Sequence, residues 1–296
     1  MRVFVTGATG FVGSAVVREL IGAGHEVRGL ARSDAGALSL AETGAAVHRG
    51  DLQDRESLRQ GVAGMDAVIH TAFIHDFSRF KESCEVDRGV IDTLADALGS
   101  GRPLIVTSGT GLLPSGRLAS EDDEVPASAA IPRIASEQAA AEASARGVDV
   151  RAVRLPPSVH GEGDHGFVPL LIGLAREKGL AAYIGEGGNV WPAVHRLDAA
   201  RLYRLVLEKG TAGARYHGVA DDGVPFRRIA EVIGRRLNLP VVGLSGDDVA
   251  AHFGWFAHFA GIDNRVTAHK TRDTLGWQPA EPGLLDDLDH PRYFAA

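Results

Sequence analysis

The stretch Thr6-Gly7-Ala8-Thr9-Gly10-Phe11-Val12-Gly13 decides the fold of this chain. It directly follows an apolar segment, residues 2–5, that is typical of a β-strand, and it directly precedes a helical segment, residues 14–22. In such a turn the first glycine permits the sharp reversal, the second lets the backbone approach a phosphate, and the third lets the helix pack closely on the strand. The N-terminus of the helix favours an anion at the same point. The sequence therefore predicts a strand-turn-helix unit that binds the pyrophosphate of a dinucleotide.

Segments of these two kinds alternate through the first half of the chain. Further strands are predicted over residues 26–30, 45–48, 67–72, 103–108 and 150–155, and further helices over residues 56–62, 86–98 and 137–145. Strands and helices in this alternating order form a parallel sheet with helices on both faces. We therefore predict an α/β protein with a doubly wound parallel sheet, that is, a Rossmann fold.

The regular alternation ends after Pro156-Pro157. Residues 161–189 are rich in glycine, whereas a strand at 194–198 and a helix at 199–208 indicate a return to the main domain. A helix at 225–237 and a strand at 241–244 precede a cluster of aromatic residues. We therefore predict a dinucleotide-binding Rossmann domain over residues 1–157 and 193–219. A small, discontinuous substrate-binding annex is predicted over residues 158–192 and 220–296.

Composition excludes several classes of function. The 296 residues are 45% hydrophobic and 23% charged, as in globular proteins, and the net charge of −7 argues against a nucleic-acid partner. No apolar stretch approaches the roughly 20 residues that span a bilayer, and no basic-then-apolar leader is visible, so we expect neither membrane insertion nor a signal peptide. The single cysteine, Cys84, excludes an intrachain disulfide and fits a cytoplasmic location. Cys84 is either a nucleophile or, as is more usual, a packed side chain.

The residues after the second strand decide which dinucleotide is bound. NAD sites usually place an acid there to accept a hydrogen bond from the ribose 2′-hydroxyl. Here the segment is Leu30-Ala31-Arg32-Ser33-Asp34, in which Arg32 and Ser33 suit a 2′-phosphate. Asp34 is a competing acid, but it lies past the expected end of the strand, and Arg32 has the alternative of being a solvated surface residue. We predict NADP(H) in preference to NAD(H).

The glycine-rich turn resembles the TGxxGxxG turn of the extended short-chain dehydrogenases/reductases, the NAD(P)-dependent epimerase/dehydratase group. Segments similar to that family's cofactor-binding segments follow in order: Gly50-Asp51-Leu52, His70-Thr71-Ala72-Phe73, Arg154-Leu155-Pro156-Pro157-Ser158-Val159-His160-Gly161 and Val194-His195-Arg196-Leu197-Asp198. The resemblance implies a small-molecule substrate and a possible homodimer. The turn, the segment after the second strand and this resemblance together predict a cofactor site made of Gly7, Thr9, Gly10, Phe11, Val12, Gly13, Arg32, Ser33, Asp51, Leu52, Thr71, Ala72, Phe73, Thr107, Pro156 and Ser158.

The chain departs from this family at the catalytic pair. The family normally uses Tyr-x-x-x-Lys, in which the tyrosine donates a proton and the lysine lowers its pKa. None of the four tyrosines here has a lysine four residues later. By register, Arg133 takes the tyrosine position, Glu137 the lysine position, and Gly109 the position of the usual catalytic serine. We therefore predict an atypical family member without the usual acid.

Other residues are candidates for the chemistry. Arg133 can donate a cationic hydrogen bond to a carbonyl oxygen, although an ion pair with Glu137 at the start of a helix is the alternative. Ser108 and Thr110 follow a strand, where α/β sheets place ligands, and either can bind a substrate oxygen or satisfy the loop backbone.

The glycine-rich segment and the aromatic cluster supply further candidates. His160 and His165 can carry a proton near neutral pH, although a lone histidine on such a loop more often has a structural role, and His165 is also a candidate for binding the substrate. Asn189, Trp191 and Trp255 are predicted to line an apolar substrate pocket, with packing in the annex core as the alternative. No paired cysteine or His-Glu-x-x-His spacing occurs, so we predict no metal.

Three functions remain open on the sequence. The first is an NADP(H)-dependent oxidoreductase that reduces a small or apolar carbonyl, or imine, compound by hydride transfer. The second is a non-catalytic NADP(H)-binding regulator, which the missing tyrosine and lysine would permit. The third is an NAD-dependent sugar-nucleotide epimerase or dehydratase, which the missing tyrosine disfavours. The sequence favours the reductase, because an annex of this size provides a pocket that a bare sensor would not need.

Overall fold

The computed structural model describes residues 1–125 and 131–295. In chain order, the strands are β1 (Arg2–Thr6), β2 (Glu26–Ala31), β3 (Ala46–Arg49), β4 (Ala67–His70), β5 (Pro103–Gly109), β6 (Asp149–Leu155), β7 (Ser158–His160), β8 (Ala181–Ile184), β9 (Val190–His195), β10 (Arg215–His217), β11 (Asp221–Pro225) and β12 (Val241–Leu244). The helices are α1 (Phe11–Gly22), α2 (Asp34–Ala41), α3 (Arg55–Val62), α4 (Phe80–Leu98), α5 (Ile134–Ala145), α6 (Phe167–Lys178), α7 (Arg196–Lys209), α8 (Phe226–Leu237), α9 (Asp247–Phe253), α10 (Ala257–Ala260), α11 (His269–Leu275) and α12 (Leu284–Leu288).

The central sheet has seven parallel strands in the order β10-β6-β5-β4-β1-β2-β3. The order reverses at β1, which has β2 on one side and β4 on the other. In open α/β sheets the ligand binds beyond the carboxyl ends of the strands at this reversal. The predicted doubly wound sheet is therefore confirmed, and the glycine-rich turn lies at the reversal point.

Two apolar cores cover the two faces of this sheet. Because side chains alternate along a strand, Val3 and Val5 face the core formed by α1 and α7, whereas Phe4 faces α3 and α4. All three side chains are fully buried. The sheet therefore gives the cofactor site a rigid base.

A third core forms among the elements after β7, with Trp191 and Phe226 near its centre. There β9 pairs with β7 and β11, and β8 pairs with β12. The stretch from Val266 to Trp277 packs instead with the α1–α7 core, although the sequence analysis places it in the annex. The division into two domains stays a prediction. No helix among the described residues is long and apolar enough to cross a membrane.

Candidate cofactor and active site

The glycine-rich turn is shaped for a close approach of backbone to a ligand. Gly7 has φ +69°, and a Cβ there would lie 2.7 Å from the backbone nitrogen of Ala72. A Cβ on Gly13 would lie 2.0 Å from the carbonyl oxygen of Gly7. Gly10 precedes α1 without a side-chain cap, and the first turn of α1 carries no acid. The first N–H groups of α1 therefore remain available to an anion, and the turn fits the pyrophosphate of a dinucleotide.

We expect Gly13→Ala to lower the free energy of unfolding by at least about 2 kcal/mol and to abolish dinucleotide binding, because the added methyl group overlaps the carbonyl of Gly7. Thermal unfolding and calorimetric titration with the dinucleotide measure both effects. Gly22→Ala is the matched control, because Gly22 is also in α1 and a Cβ there meets no atom within 4 Å. A Gly13→Ala protein that binds as tightly as the Gly22→Ala protein would contradict this account of the turn.

The residues after β2 leave a cation at the position expected for a 2′-phosphate. The Arg32 side chain is 83% exposed, and its nearest acid, Asp51, is 3.9 Å away. The Ser33 hydroxyl caps α2, accepting a backbone hydrogen bond of 3.1 Å from its first turn. Asp34, the competing acid, is held by Arg49 at 2.6 Å. Arg32 is therefore open to a ligand, whereas Asp34 faces Arg49 in an exposed ion pair.

The loop after β4 lies against the glycine-rich turn, as the predicted cofactor site requires. The Thr71 hydroxyl donates to the carbonyl of Thr6 at 2.8 Å, and the backbone of Ala72 abuts Gly7. The ring of Phe73 lies under the Arg133 guanidinium, 4.1 Å from its carbon. Thr71, Ala72 and Phe73 are thus brought together with the turn and with the start of α5.

Other predicted cofactor residues are placed less directly. The Thr107 hydroxyl is engaged by the carbonyl at the end of β4, at 2.7 Å, and by the hydroxyl of Tyr203, at 2.6 Å. Pro156 is buried, and Leu52 packs at the edge of the α3–α4 core. Ser158 is also buried, and its hydroxyl has no hydrogen-bond partner in the described part of the chain. Direct contact of these four side chains with the cofactor stays a prediction.

Arg133 is fixed in place by three hydrogen bonds. Its Nη1 donates to Asp87 at 2.7 Å and to the Ser136 hydroxyl, and its Nη2 donates to the carbonyl of Thr107 at 3.1 Å. The side chain is 16% exposed and lies over the ring of Phe73. The structure therefore presents a positioned cation between the end of β5 and the loop after β4.

Asp87 is the counter-ion that holds Arg133. Burial alone would raise the pKa of Asp87, but hydrogen bonds from His70 and the nearby charge of Arg133 outweigh it and lower that pKa to about 2. His70 lies 2.9 Å from Asp87 and 2.6 Å from the Thr6 hydroxyl. A buried chain of polar groups thus connects the end of β1 with Arg133.

The predicted ion pair between Arg133 and Glu137 is not formed. Arg133 precedes α5 and points toward α4, whereas Glu137 binds the fully buried Arg154 on β6, at 2.7 and 2.8 Å. The Ser108 hydroxyl donates to Glu137 at 2.7 Å. Burial would raise the pKa of Glu137, but Arg154 outweighs this and keeps it below its usual range. The Ser108 hydroxyl therefore already donates its hydrogen bond to the Glu137 carboxylate. This geometry does not support a direct hydrogen bond from Ser108 to the substrate.

Two further catalytic candidates are placed as structural residues. Thr110 is fully buried, and its hydroxyl donates to the Asn264 side chain at 2.7 Å. His160 is fully buried on β7, with Nδ1 2.9 Å from Asp287. Neither side chain is open to a substrate in this arrangement, which argues against the catalytic roles proposed from the sequence.

An aromatic surface joins the loop after β4 to the annex. Trp255, which is 54% exposed, stacks on Phe77 with ring centroids 4.8 Å apart and planes at 21°. Phe77 also contacts Phe167 and Phe259, with centroids 5.9 and 5.4 Å apart. Trp255 is among the residues predicted for the substrate pocket, whereas Phe77 is not, because no local pattern in the sequence indicates a partner so distant along the chain.

Of the other residues predicted to bind the substrate, Trp191 and Asn189 are packed inside the annex and His165 is exposed. Trp191 is fully buried and donates to the carbonyl of Phe259 at 3.1 Å. The Asn189 amide donates to the carbonyls of Ala260 and Ile262 at 2.9 and 3.0 Å. Both are therefore better explained as annex packing than as pocket lining. His165 is exposed, and its ring lies 5.7 Å from that of Phe11 in the glycine-rich turn.

His75 is a site residue that the sequence analysis misses. Its ring is 5.1 Å from that of Phe73, and the residue is exposed at one side. Partial desolvation by the surrounding protein, reinforced by the charge of Arg133, lowers the pKa of His75. Cys84 is fully buried, and burial raises the pKa of its thiol to about 11, so it carries almost no thiolate at neutral pH.

Within residues 1–125 and 131–295, no group of three or more His, Cys, Asp and Glu side chains is arranged to hold a metal.

The model of the NAD dependent epimerase/dehydratase family matches residues 3–219. The chain belongs to this family. A Schizosaccharomyces pombe relative, an uncharacterized protein, is 49% identical over 296 residues, covering 99% of this chain and 100% of the relative. A 2-alkyl-3-oxoalkanoate reductase of Stenotrophomonas maltophilia is 30% identical and covers 86% of this chain and 79% of its own length.

The dTDP-glucose 4,6-dehydratase of Streptomyces venezuelae, solved with NAD bound, has a TM-score of 0.77 at 23% identity, covering 98% of this chain and 95% of that one. At that identity the likeness shows the fold alone. Membership in the epimerase/dehydratase family confirms the resemblance seen in the sequence and the prediction of an NAD(P)-dependent enzyme. The family binds nicotinamide cofactors, and the binding of this cofactor by the glycine-rich turn stays a prediction.

Proposed function

We propose that this family member is an NADP(H)-dependent reductase of apolar carbonyl compounds, in which Arg133 replaces the usual acid as an electrostatic stabiliser. The observation that carries the proposal is the Arg133 guanidinium, held by Asp87 and the carbonyl of Thr107 beside the cofactor-side loop. When bound, the reduced cofactor supplies the hydride. The protein must then stabilise the negative charge that develops on the substrate oxygen.

The hydrogen-bonding capacity of Arg133 suits this role. A guanidinium has five N–H donors, and described residues accept from Arg133 at three of them, which leaves two for a substrate oxygen. Because Asp87 remains a carboxylate, the cation stays in position through the reaction. An arginine does not release its proton at neutral pH, so the alkoxide takes its proton from water.

The aromatic surface supports an apolar substrate. The rings of Phe77 and Trp255 are stacked, and Phe80 links Phe77 to Phe73, with ring centroids 5.6 and 6.1 Å apart. Apolar pockets with few polar groups bind substrates through buried area and orient them with one or two hydrogen bonds. The Stenotrophomonas relative is named for an alkyl oxoalkanoate, and a substrate with an apolar chain next to an oxo group would suit this surface.

The preference for the 2′-phosphorylated cofactor is also a proposal. Exposed Arg32, together with the engagement of Asp34 by Arg49, supports it. A phosphate would form a charge-assisted contact with Arg32, whereas the ribose hydroxyl of NAD would meet no free acid after β2. We further propose a cytoplasmic location and a homodimer, which fractionation and sedimentation can test.

The reduction rate is expected to vary by less than about threefold between about pH 7 and about pH 9. The reason is that partial desolvation and the charge of Arg133 keep the pKa of His75 below its usual value, so its imidazole is neutral in this range, while Asp87 stays ionised. Single-turnover NADPH oxidation, followed by absorbance, measures the profile. A rate that rises or falls tenfold across the range would show a titrating proton donor and contradict the proposed role of Arg133.

A non-catalytic NADP(H)-binding regulator is the second candidate. Engagement of Ser108 by Glu137 and burial of Thr110 and His160 favour it, because these side chains are not free to donate to a substrate. A panel of aromatic ketones, alkyl 3-oxo esters and cyclic imines, incubated with NADPH, separates the two functions. Oxidation of NADPH above background with any of them supports the reductase, whereas tight binding without oxidation supports the regulator.

A further inference from the structure

Arg196, the first residue of α7, connects the glycine-rich turn with the loop after β7. Its Nη2 donates to the Ser14 hydroxyl at 2.9 Å, and its Nη1 donates to the carbonyl of Glu162 at 2.8 Å. The guanidinium carbon lies 4.5 Å from the centre of the Phe11 ring. Phe11 and Ser14 both belong to the first turn of α1, whose leading N–H groups the turn leaves available. Arg196 therefore lies beside the predicted pyrophosphate site.

Among the described residues no carboxylate forms an ion pair with Arg196, and the charge of Glu162 acts on it only at longer range. Its hydrogen-bond acceptors are a hydroxyl and a carbonyl, and its buried Nε has no acceptor in the described part of the chain. Burial, followed by repulsion from Arg18, lowers the pKa of Arg196. Partial burial of a cation without a counter-ion destabilises the protein, and a bound anion would offset this cost in free energy.

Arg204, two turns further along α7, provides the comparison. It also links α7 with α1, but it does so through carboxylates, at 2.7 Å to Glu19 and 3.0 Å to Glu208. The α1–α7 contact therefore does not require a cation without a counter-ion, and the arrangement at Arg196 needs another explanation. Its position next to the uncapped start of α1 indicates what the missing anion is.

We propose that Arg196, which follows β9, binds the pyrophosphate of the nicotinamide dinucleotide together with the N-terminus of α1. The inference rests on the cofactor of the proposed function but not on carbonyl reduction. On binding, the guanidinium exchanges the Ser14 hydroxyl or the Glu162 carbonyl for a phosphate oxygen. The glycines on the adjoining loop, Gly161 and Gly163, have φ +136° and +81° and lie against the Arg196 side chain. Because glycine has no side chain, both residues leave room for the Arg196 side chain.

The test compares binding of three probes to the intact chain by titration calorimetry. NADPH and ADP-ribose both carry the pyrophosphate, whereas adenosine 2′-monophosphate lacks it. We expect Arg196→Met to raise the Kd for NADPH and for ADP-ribose by about 10-fold to 100-fold and to leave that for adenosine 2′-monophosphate unchanged. Arg196→Lys keeps the charge and should recover part of the loss. Arg204→Met is the matched control and should change none of the three Kd values.

The outcomes separate this inference from the proposed function. Selective loss of the pyrophosphate-bearing probes in Arg196→Met supports the inference even if no carbonyl compound is reduced. Equal weakening of all three probes, or no weakening of any, overturns it, because Arg196 would then be a purely structural contact. Thermal unfolding of each variant verifies the folded state, and the lysine variant supplies the answer if the methionine variant does not fold. A wild-type chain that binds no dinucleotide overturns both proposals.

Discussion

Replacement of Arg133 by methionine is expected to lower the rate of carbonyl reduction by about 10²-fold to 10³-fold, while the Kd for NADPH changes by less than about threefold. The methionine side chain retains most of the apolar contact with Phe73 but removes the cation that stabilises the developing alkoxide. Single-turnover NADPH oxidation at saturating cofactor measures the rate, and calorimetric titration measures the binding.

Arg88→Met is the matched control for this variant. Arg88 also joins α4 to α5, through an ion pair with Glu142 at 2.6 Å, but it lies on the exposed side of that contact. We expect Arg88→Met to leave both rate and binding unchanged, since exposed ion pairs contribute little. A folded Arg133→Met protein whose rate is within about threefold of the control would contradict the stabilising role of Arg133.

Reversal of the charge at Arg32 is expected to lower kcat/KM for NADPH by about 100-fold and to leave that for NADH within about threefold of wild type. In Arg32→Glu a carboxylate faces the 2′-phosphate and repels it. The 2′-hydroxyl of NADH can accept a hydrogen bond from the arginine or donate one to the introduced carboxylate. Initial rates with each cofactor, at a fixed carbonyl substrate, give the two ratios.

Arg228→Glu makes the same change in net charge on an exposed residue of α8, where Arg228 pairs with Glu231 at 3.2 Å. It controls for any general effect of charge on the binding of an anionic cofactor. Equal loss with NADPH and NADH in the Arg32 variant, or equal loss in both variants, would contradict a specific contact with the 2′-phosphate.

The fold and the conformation of the glycine-rich turn can be predicted from the sequence because both depend on local rules. The order of Gly7, Gly10 and Gly13 between a strand and a helix fixes the turn, and alternating apolar segments fix the sheet. Helix α2 was missed because Gly36 and the exposed Leu38 hide its pattern. Helix α4 begins at Phe80, six residues before the predicted start, because its first turns are mainly polar.

The interior of the site could not be predicted, since its contacts join residues far apart in sequence. Arg133 meets Asp87 across 46 residues, and Thr110 meets Asn264 across 154. Sequence register placed Arg133 at the tyrosine position but gave Glu137 as its partner, because neighbours along a helix are the only contacts that spacing reveals. The stack of Phe77 on Trp255 escaped prediction for the same reason.

Deuteride transfer tests the central claim most directly. The chain is incubated with an alkyl 3-oxo ester or an aromatic ketone and with NADPH that carries deuterium at the reactive ring carbon, in each of its two configurations. Mass spectrometry then measures deuterium in the product alcohol. The account predicts transfer from one configuration only, in wild type and in Arg88→Met, and little product from Arg133→Met. NADPH binding without any deuterium in a product would contradict it, as would undiminished transfer by Arg133→Met.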